Sequence, residues 1–195
     1  MSSLAGFKIV LCTSIFLSMP LMAFADVCVW RDPERTMSKL FPEAQDYSTI
    51  SIKLTPEHIA KIEKRLGMLL DESEKHEFNF YELKSKQGGK VVTLGHAVAL
   101  GGKGEYGVIE VVIGMDPSRK IRTAYIQRSS ERAKKEIEAP AFLTQFNGKS
   151  FSDALEFEKD LKAPPTAAFA GNVVRVTIKK MLAFYEELLP KQKNQ

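Results

Sequence analysis

Between Phe78 and Gln127, four β-prone runs follow one another with only turn residues between them. Phe78 to Leu83 is rich in aromatics, Val91 to Leu100 and Tyr106 to Ile113 are rich in valine and other apolar residues, and Ile121 to Gln127 closes the series. The connectors are Gly88-Gly89, Gly101-Gly102-Lys103-Gly104 and Asp116-Pro117-Ser118. Two parallel strands need a crossover of roughly a dozen residues or more, and no connector here supplies one. The strands must therefore pair as an antiparallel meander, with glycines and Asp-Pro at the reversals.

Helical signals flank this block. Glu34 to Leu40 reads as a short helix ended at Phe41-Pro42. Tyr47 to Leu54 alternates and is β-branched, so it adds a strand. Thr55-Pro56 reads as an N-cap and first helical residue, Ile59, Ile62 and Leu66 follow at helical spacing, and Gly67 closes the helix. After the meander, Ala141 to Phe146 forms a short helix stopped by Asn147-Gly148, and Pro164-Pro165 interrupts the chain. From Val174 onward, Ile178, Met181, Leu182, Tyr185, Leu188 and Leu189 fall on one helical stripe, which Pro190 ends. The expected fold class is α+β: an antiparallel meander with flanking helices in a single domain.

The N-terminus has the parts of a secretory signal peptide in order. Lys8 is the positive element, Ile9 to Met22 the apolar stretch, and Ala23-Phe24-Ala25 the small-x-small site, which places cleavage before Asp26. The apolar stretch is shorter than the roughly 20 residues of a spanning helix. Asp26, two residues before Cys28, makes a poor lipobox. The expected division is thus residues 1–25 as signal and 26–195 as the domain, with a periplasmic or otherwise exported location. About 170 residues are enough for one core. Loss of Lys8 lowers the formal charge from +4 to about +3. The basic residues are dispersed, with no stripe interleaved with aromatics, so nucleic acid is not an expected partner. Cys28 is the lone cysteine of the mature part, so no internal disulfide can form. His58, His76 and His96 stand apart at no metal-ligand spacing and read as structural or surface residues, so no metal is expected.

Gly102-Lys103-Gly104-Glu105-Tyr106-Gly107 matches the dinucleotide-binding pattern G-x-G-x-x-G. That pattern works only where the glycines open a helix whose N-terminus meets the pyrophosphate. Here a strand follows, so the match reads as a hairpin turn. Glu131 and Glu136 form a carboxylate pair that could do acid-base work. Beside Arg132, Lys134 and Lys135 they read rather as a solvated, charge-balanced face. No nucleophile elbow, H-E-x-x-H or P-loop is present.

Glu131-Arg132-Ala133-Lys134-Lys135-Glu136-Ile137 has an acid-x4-acid-aliphatic form, and Pro140 to Lys149 carries an aromatic, then Gln145-Phe146 and Gly148-Lys149. With the Asp116-Pro117 turn after an apolar strand, these segments resemble the FMN-binding domain family of exported electron-transfer flavoproteins. Its members include periplasmic parts of Rnf-type and sodium-pumping quinone reductase complexes. The resemblance runs from about Arg35 to the end of the chain. It implies FMN as cofactor and, as partner, a redox protein or a membrane respiratory complex. It also implies a cofactor site on Glu131, Glu136, Thr166, Ala167, Ala168 and Phe169.

In the family a segment like Asp-Ala-x-Ser/Thr-Gly-Ala-Thr-x-Ser carries FMN phosphate as an ester of its threonine. The corresponding stretch here is Lys162 to Ala170. Ala163 and Ala167 match. Lys162 stands for the aspartate, Pro165 for the serine or threonine, Thr166 for the glycine, and Ala168 for the acceptor. Alanine has no oxygen to esterify, so the flavin expected here is held without a covalent bond. The alternative is an accessory or interaction domain that has kept the fold and lost the flavin.

Overall fold

The computed structural model describes residues 33–189. The signal segment, its cleavage site and Cys28 lie outside the described residues, as does Pro190. The elements in order are α1 (Pro33–Leu40), β1 (Asp46–Lys53), α2 (Pro56–Leu66), β2 (Glu77–Gln87), β3 (Lys90–Lys103), β4 (Val108–Met115), β5 (Ile121–Arg128), α3 (Lys134–Ile137), α4 (Pro140–Leu143) and α5 (Ala168–Leu188). The five strands form one sheet in the order β1-β2-β3-β4-β5, every neighbour antiparallel. This is the α+β meander that the short connectors require, with helices packed on both faces.

The front face of the sheet carries the main core. Phe80, Val98, Val111 and Ile113 from the strands are fully buried against Val174, Ile178, Met181 and Leu182 of α5. Phe78 stacks on Phe184 with ring centroids 4.2 Å apart. The helical stripe inferred from spacing is therefore the buried face of α5. Covering the back face, Met37 and Leu40 of α1 and Phe41 just after it pack onto Leu83, Ala97 and Val112. Phe41 comes close because two strand residues there have no side chain. A Cβ on Gly114 would stand 3.0 Å from the Phe41 ring, and one on Gly95 would stand 2.1 Å from the Met115 carbonyl oxygen.

Local signals set several boundaries. Thr55 caps α2 by accepting from the His58 N–H at 3.2 Å, and Gly67 ends that helix in the left-handed region at φ 67°. His58 Nδ1 in turn accepts from the Thr55 N–H at 3.4 Å, so this histidine completes a capping box.

Other boundaries differ from the sequence reading. Gly101-Gly102-Lys103 is strand: β3 runs through Lys103, and the reversal lies at Gly104–Gly107, closed by the Gly104 N–H on the Gly107 carbonyl at 2.8 Å. The reason is tertiary. A Cβ on Gly102 would sit 2.3 Å from Thr177 Oγ1 and 2.6 Å from Val173 Cγ1, so glycine is there to let α5 cross β3 closely. β2 also outlasts the expected Leu83 and reaches Gln87. The 141–146 helix begins at Pro140 and tightens into a 3₁₀ turn over Thr144–Phe146 before Gly148 at φ 76°. α5 starts at Ala168, six residues before Val174. Gly171 does not break it, because Pro164 packs where a side chain would be, 2.5 Å from the Cβ position.

Candidate functional site

Two segments far apart in sequence meet at the N-terminal end of α5. The first leaves β5 at Ser129 and runs through α3. The Ser129 hydroxyl accepts the Glu131 N–H at 3.1 Å, which turns the Glu131 side chain inward. Glu131 is only 7% exposed. Its Oε1 accepts the Tyr106 N–H at 3.0 Å and lies 2.2 Å from where a Cβ on Gly104 would stand. Glu131 thus closes the β3–β4 hairpin from below, and the G-x-G-x-x-G match is that hairpin. Its burial corrects the reading of Glu131 as part of a solvated face. Arg132 covers the Tyr106 ring at 4.7 Å from its centroid.

The second segment is Lys162 to Ala167. Gln145 clamps its start, accepting the Lys162 N–H at 2.7 Å and donating to the Lys162 carbonyl at 3.3 Å. Pro164 is buried over Gly171, and its carbonyl accepts the Ala167 N–H at 3.1 Å. The chain is thereby bent into α5, with Ala167 buried at the cap position and Ala168 exposed as the first helical residue. Thr166 then donates to Glu136 Oε1 at 3.3 Å. Phe169, on the first turn, is 59% exposed.

The six residues implied by the resemblance are therefore distributed as follows. Glu136, Thr166, Ala167, Ala168 and Phe169 lie together at the start of α5. Glu131 belongs to the same α3 segment but turns into the hairpin. Sequence reasoning did not single out Gln145 as the residue that fixes the loop, although Gln145-Phe146 was part of the resemblance that drew attention to this region. Tyr106 lies in the hairpin turn rather than in the expected strand, since β4 begins at Val108, and that turn sets its ring beside Arg132.

The N-cap residue of α5 is Ala167, whose side chain makes no capping hydrogen bond, and among the described residues no other side chain is seen to cap it. The first backbone N–H groups of a helix have no partner within it and carry the positive end of its dipole, so they suit an anion. Against this stands Glu136, whose carboxylate is held beside Thr166, two residues before the first helical residue. Elsewhere, a cleft lined by Lys61, Lys64, Arg65 and Glu187 lies at the other end of α5. The partly buried His96 accepts or donates at 2.8 Å to the Tyr185 hydroxyl. Burial pushes His96 down from the usual histidine range and lifts Tyr185 to about 12. Among the described residues no helix is long and apolar enough to cross a membrane.

No protein-family model matches this sequence, and a search of curated proteins found no relative.

Proposed function

We propose that this protein is an exported electron-transfer module of the FMN-binding type, holding FMN without a covalent bond at the N-terminal end of α5. One observation carries the reading. The hydrogen bond from Thr166 to Glu136 joins the two segments that the family resemblance marks, across 30 residues of sequence. Bound FMN would supply reversible redox chemistry, and the protein would supply position and electrostatics. The uncapped N–H groups of Ala168, Phe169 and Ala170 would receive the phosphate. The exposed Phe169 ring offers an aromatic face for a planar ligand. The Gln145 clamp and the buried Pro164 hold the loop in one conformation. Ala168 has no oxygen, and the Thr166 hydroxyl is engaged with Glu136, so the loop presents no ester acceptor in the family's position. The partner would be a redox protein or a membrane respiratory complex outside the cytoplasm.

A second reading is an accessory or interaction domain that has kept the framework without the flavin. Glu136 favours it: a carboxylate beside the helix start complements the dipole and repels a phosphate dianion. The two separate in one experiment. The purified mature protein, co-expressed with a flavin transferase, is assayed for flavin absorbance and for in-gel fluorescence after denaturation, then titrated with FMN. The first reading expects FMN binding that is lost on denaturation and about tenfold weaker in Phe169→Ala. It also expects tighter binding in Glu136→Gln. A fluorescent band on the denaturing gel overturns non-covalent attachment. Failure to bind FMN in both the parent and Glu136→Gln leaves the accessory reading.

A further inference from the structure

At the opposite end of the sheet, β2 and β3 continue as a ribbon of their own. β1 pairs with β2 only as far as Lys84, and β4 pairs with β3 only from His96 onward. Beyond those points Ser85–Gln87 pair with Lys90–Val92 around Gly88-Gly89 at φ 57° and 79°, and the Lys86 N–H also donates to Gln45 Oε1 at 3.1 Å. Two consecutive positive-φ glycines make a tight reversal matched to strand twist, so the tip holds its shape.

The composition of this tip is unusual. Val91 is 65% exposed and Val92 38%, although valines in a strand are ordinarily covered. From Leu83 to Gly95 the sequence has three lysines and no acid. Lys84 is neutralised by Glu82 at 2.8 Å, but Lys86 and Lys90 have no ion-pair partner among the described residues. The last described residue, Leu189, lies at this end too. Its carbonyl accepts from Arg119, in the turn between β4 and β5.

We propose that the β2–β3 tip docks the protein on a bilayer carrying anionic headgroups, with Val91 and Val92 entering the interface and Lys86 and Lys90 meeting the lipid phosphates. Val91 and Val92 lie on opposite faces of the ribbon, each with one lysine on its own face, Lys86 across from Val91 and Lys90 two residues before Val92. A tip entering end-on therefore brings both valines into the interface while the long lysine stems carry their charges back to the phosphates, which fits a surface that is apolar below and anionic above. An acidic protein face would match the lysines but leave the projecting valines without a complement. The inference is independent of the flavin reading, because tip and flavin loop are at opposite ends of the sheet.

The test is sedimentation of the mature protein with vesicles of phosphatidylcholine alone or of phosphatidylcholine and phosphatidylglycerol in equal parts. The protein should pellet with the anionic vesicles at low salt, stay in solution with the neutral ones, and be released as salt screens the lysines. The double variants Val91→Asp with Val92→Asp, and Lys86→Glu with Lys90→Glu, should each bind at least about tenfold more weakly. Their circular dichroism should match the parent, since all four side chains are exposed. A Val91→Trp variant should shift its emission to the blue on adding anionic vesicles. Parent protein left in solution with anionic vesicles at low salt overturns the proposal, as does undiminished binding of the aspartate variant.

Discussion

Gly102 is fixed by Val173 and Thr177, residues far away along the chain. The space for its side chain is taken by Thr177 and Val173 of α5, so Gly102→Val would push helix and strand apart. The expected cost is about 1–3 kcal/mol, read as a lower denaturant midpoint. In the sequence, Gly101-Gly102 carries the same signal as a turn, because local chemistry records only that a side chain is missing. His96 is a second case in which the neighbours decide. Burial outweighs the opposing pull of Glu82 and, together with Arg119, keeps the ring neutral. The unfolded chain takes up a proton near pH 6.5 while the folded chain resists it. This contribution to stability is therefore complete above that pH and is lost as pH falls towards the lower folded value. Chemical denaturation across about pH 5 to 7 should show stability rising with pH, and His96→Gln should flatten that slope. An unchanged slope would mean that the histidine is already solvated.

Among the elements, α5 shows both what spacing reveals and what it hides. The stripe of Val174, Ile178, Met181, Leu182 and Tyr185 was legible because a 3.6-residue period needs no partner to be seen. Leu182 is 1% exposed, so Leu182→Ala should cost about 2–5 kcal/mol, and a variant as stable as the parent would contradict its place in the core. The six residues before Val174 were not legible as helix, since Gly171-Asn172 reads locally as a break. Pro164 and Phe142, from other segments, close over Gly171 and carry the helix through. The polar face hides another link. Lys180 is buried and contacts both Glu74 oxygens, at 2.9 and 2.7 Å. Lys180→Met would leave the buried Glu74 carboxylate with the Asp71 N–H but without its cation and should cost about 3–5 kcal/mol, whereas adding Glu74→Leu should restore part of the loss. A period count sees Lys180 only as a polar residue in a helix.

At the scale of the whole molecule, export and cofactor are the open expectations. Cleavage after Ala25 predicts exported material whose N-terminal sequencing begins at Asp26, and recovery of Met1 in the exported pool would refute it. The candidate site combines a legible part with one that was not. Glu136 and Thr166 were identified from segment resemblance, but their hydrogen bond, the Gln145 clamp and the inward turn of Glu131 exist only once the meander brings α3 beside α5. By itself the sequence determined the antiparallel meander, since its connectors are too short for any crossover, and the buried face of α5, since that face is periodic. It also determined that Ala168 cannot carry an ester, which is a matter of atoms present. Only the tertiary structure decided whether a glycine marks a turn or a close approach, and whether a carboxylate is solvated or buried. Those outcomes depend on which distant atoms fill the adjacent space, and distance along the chain does not encode that.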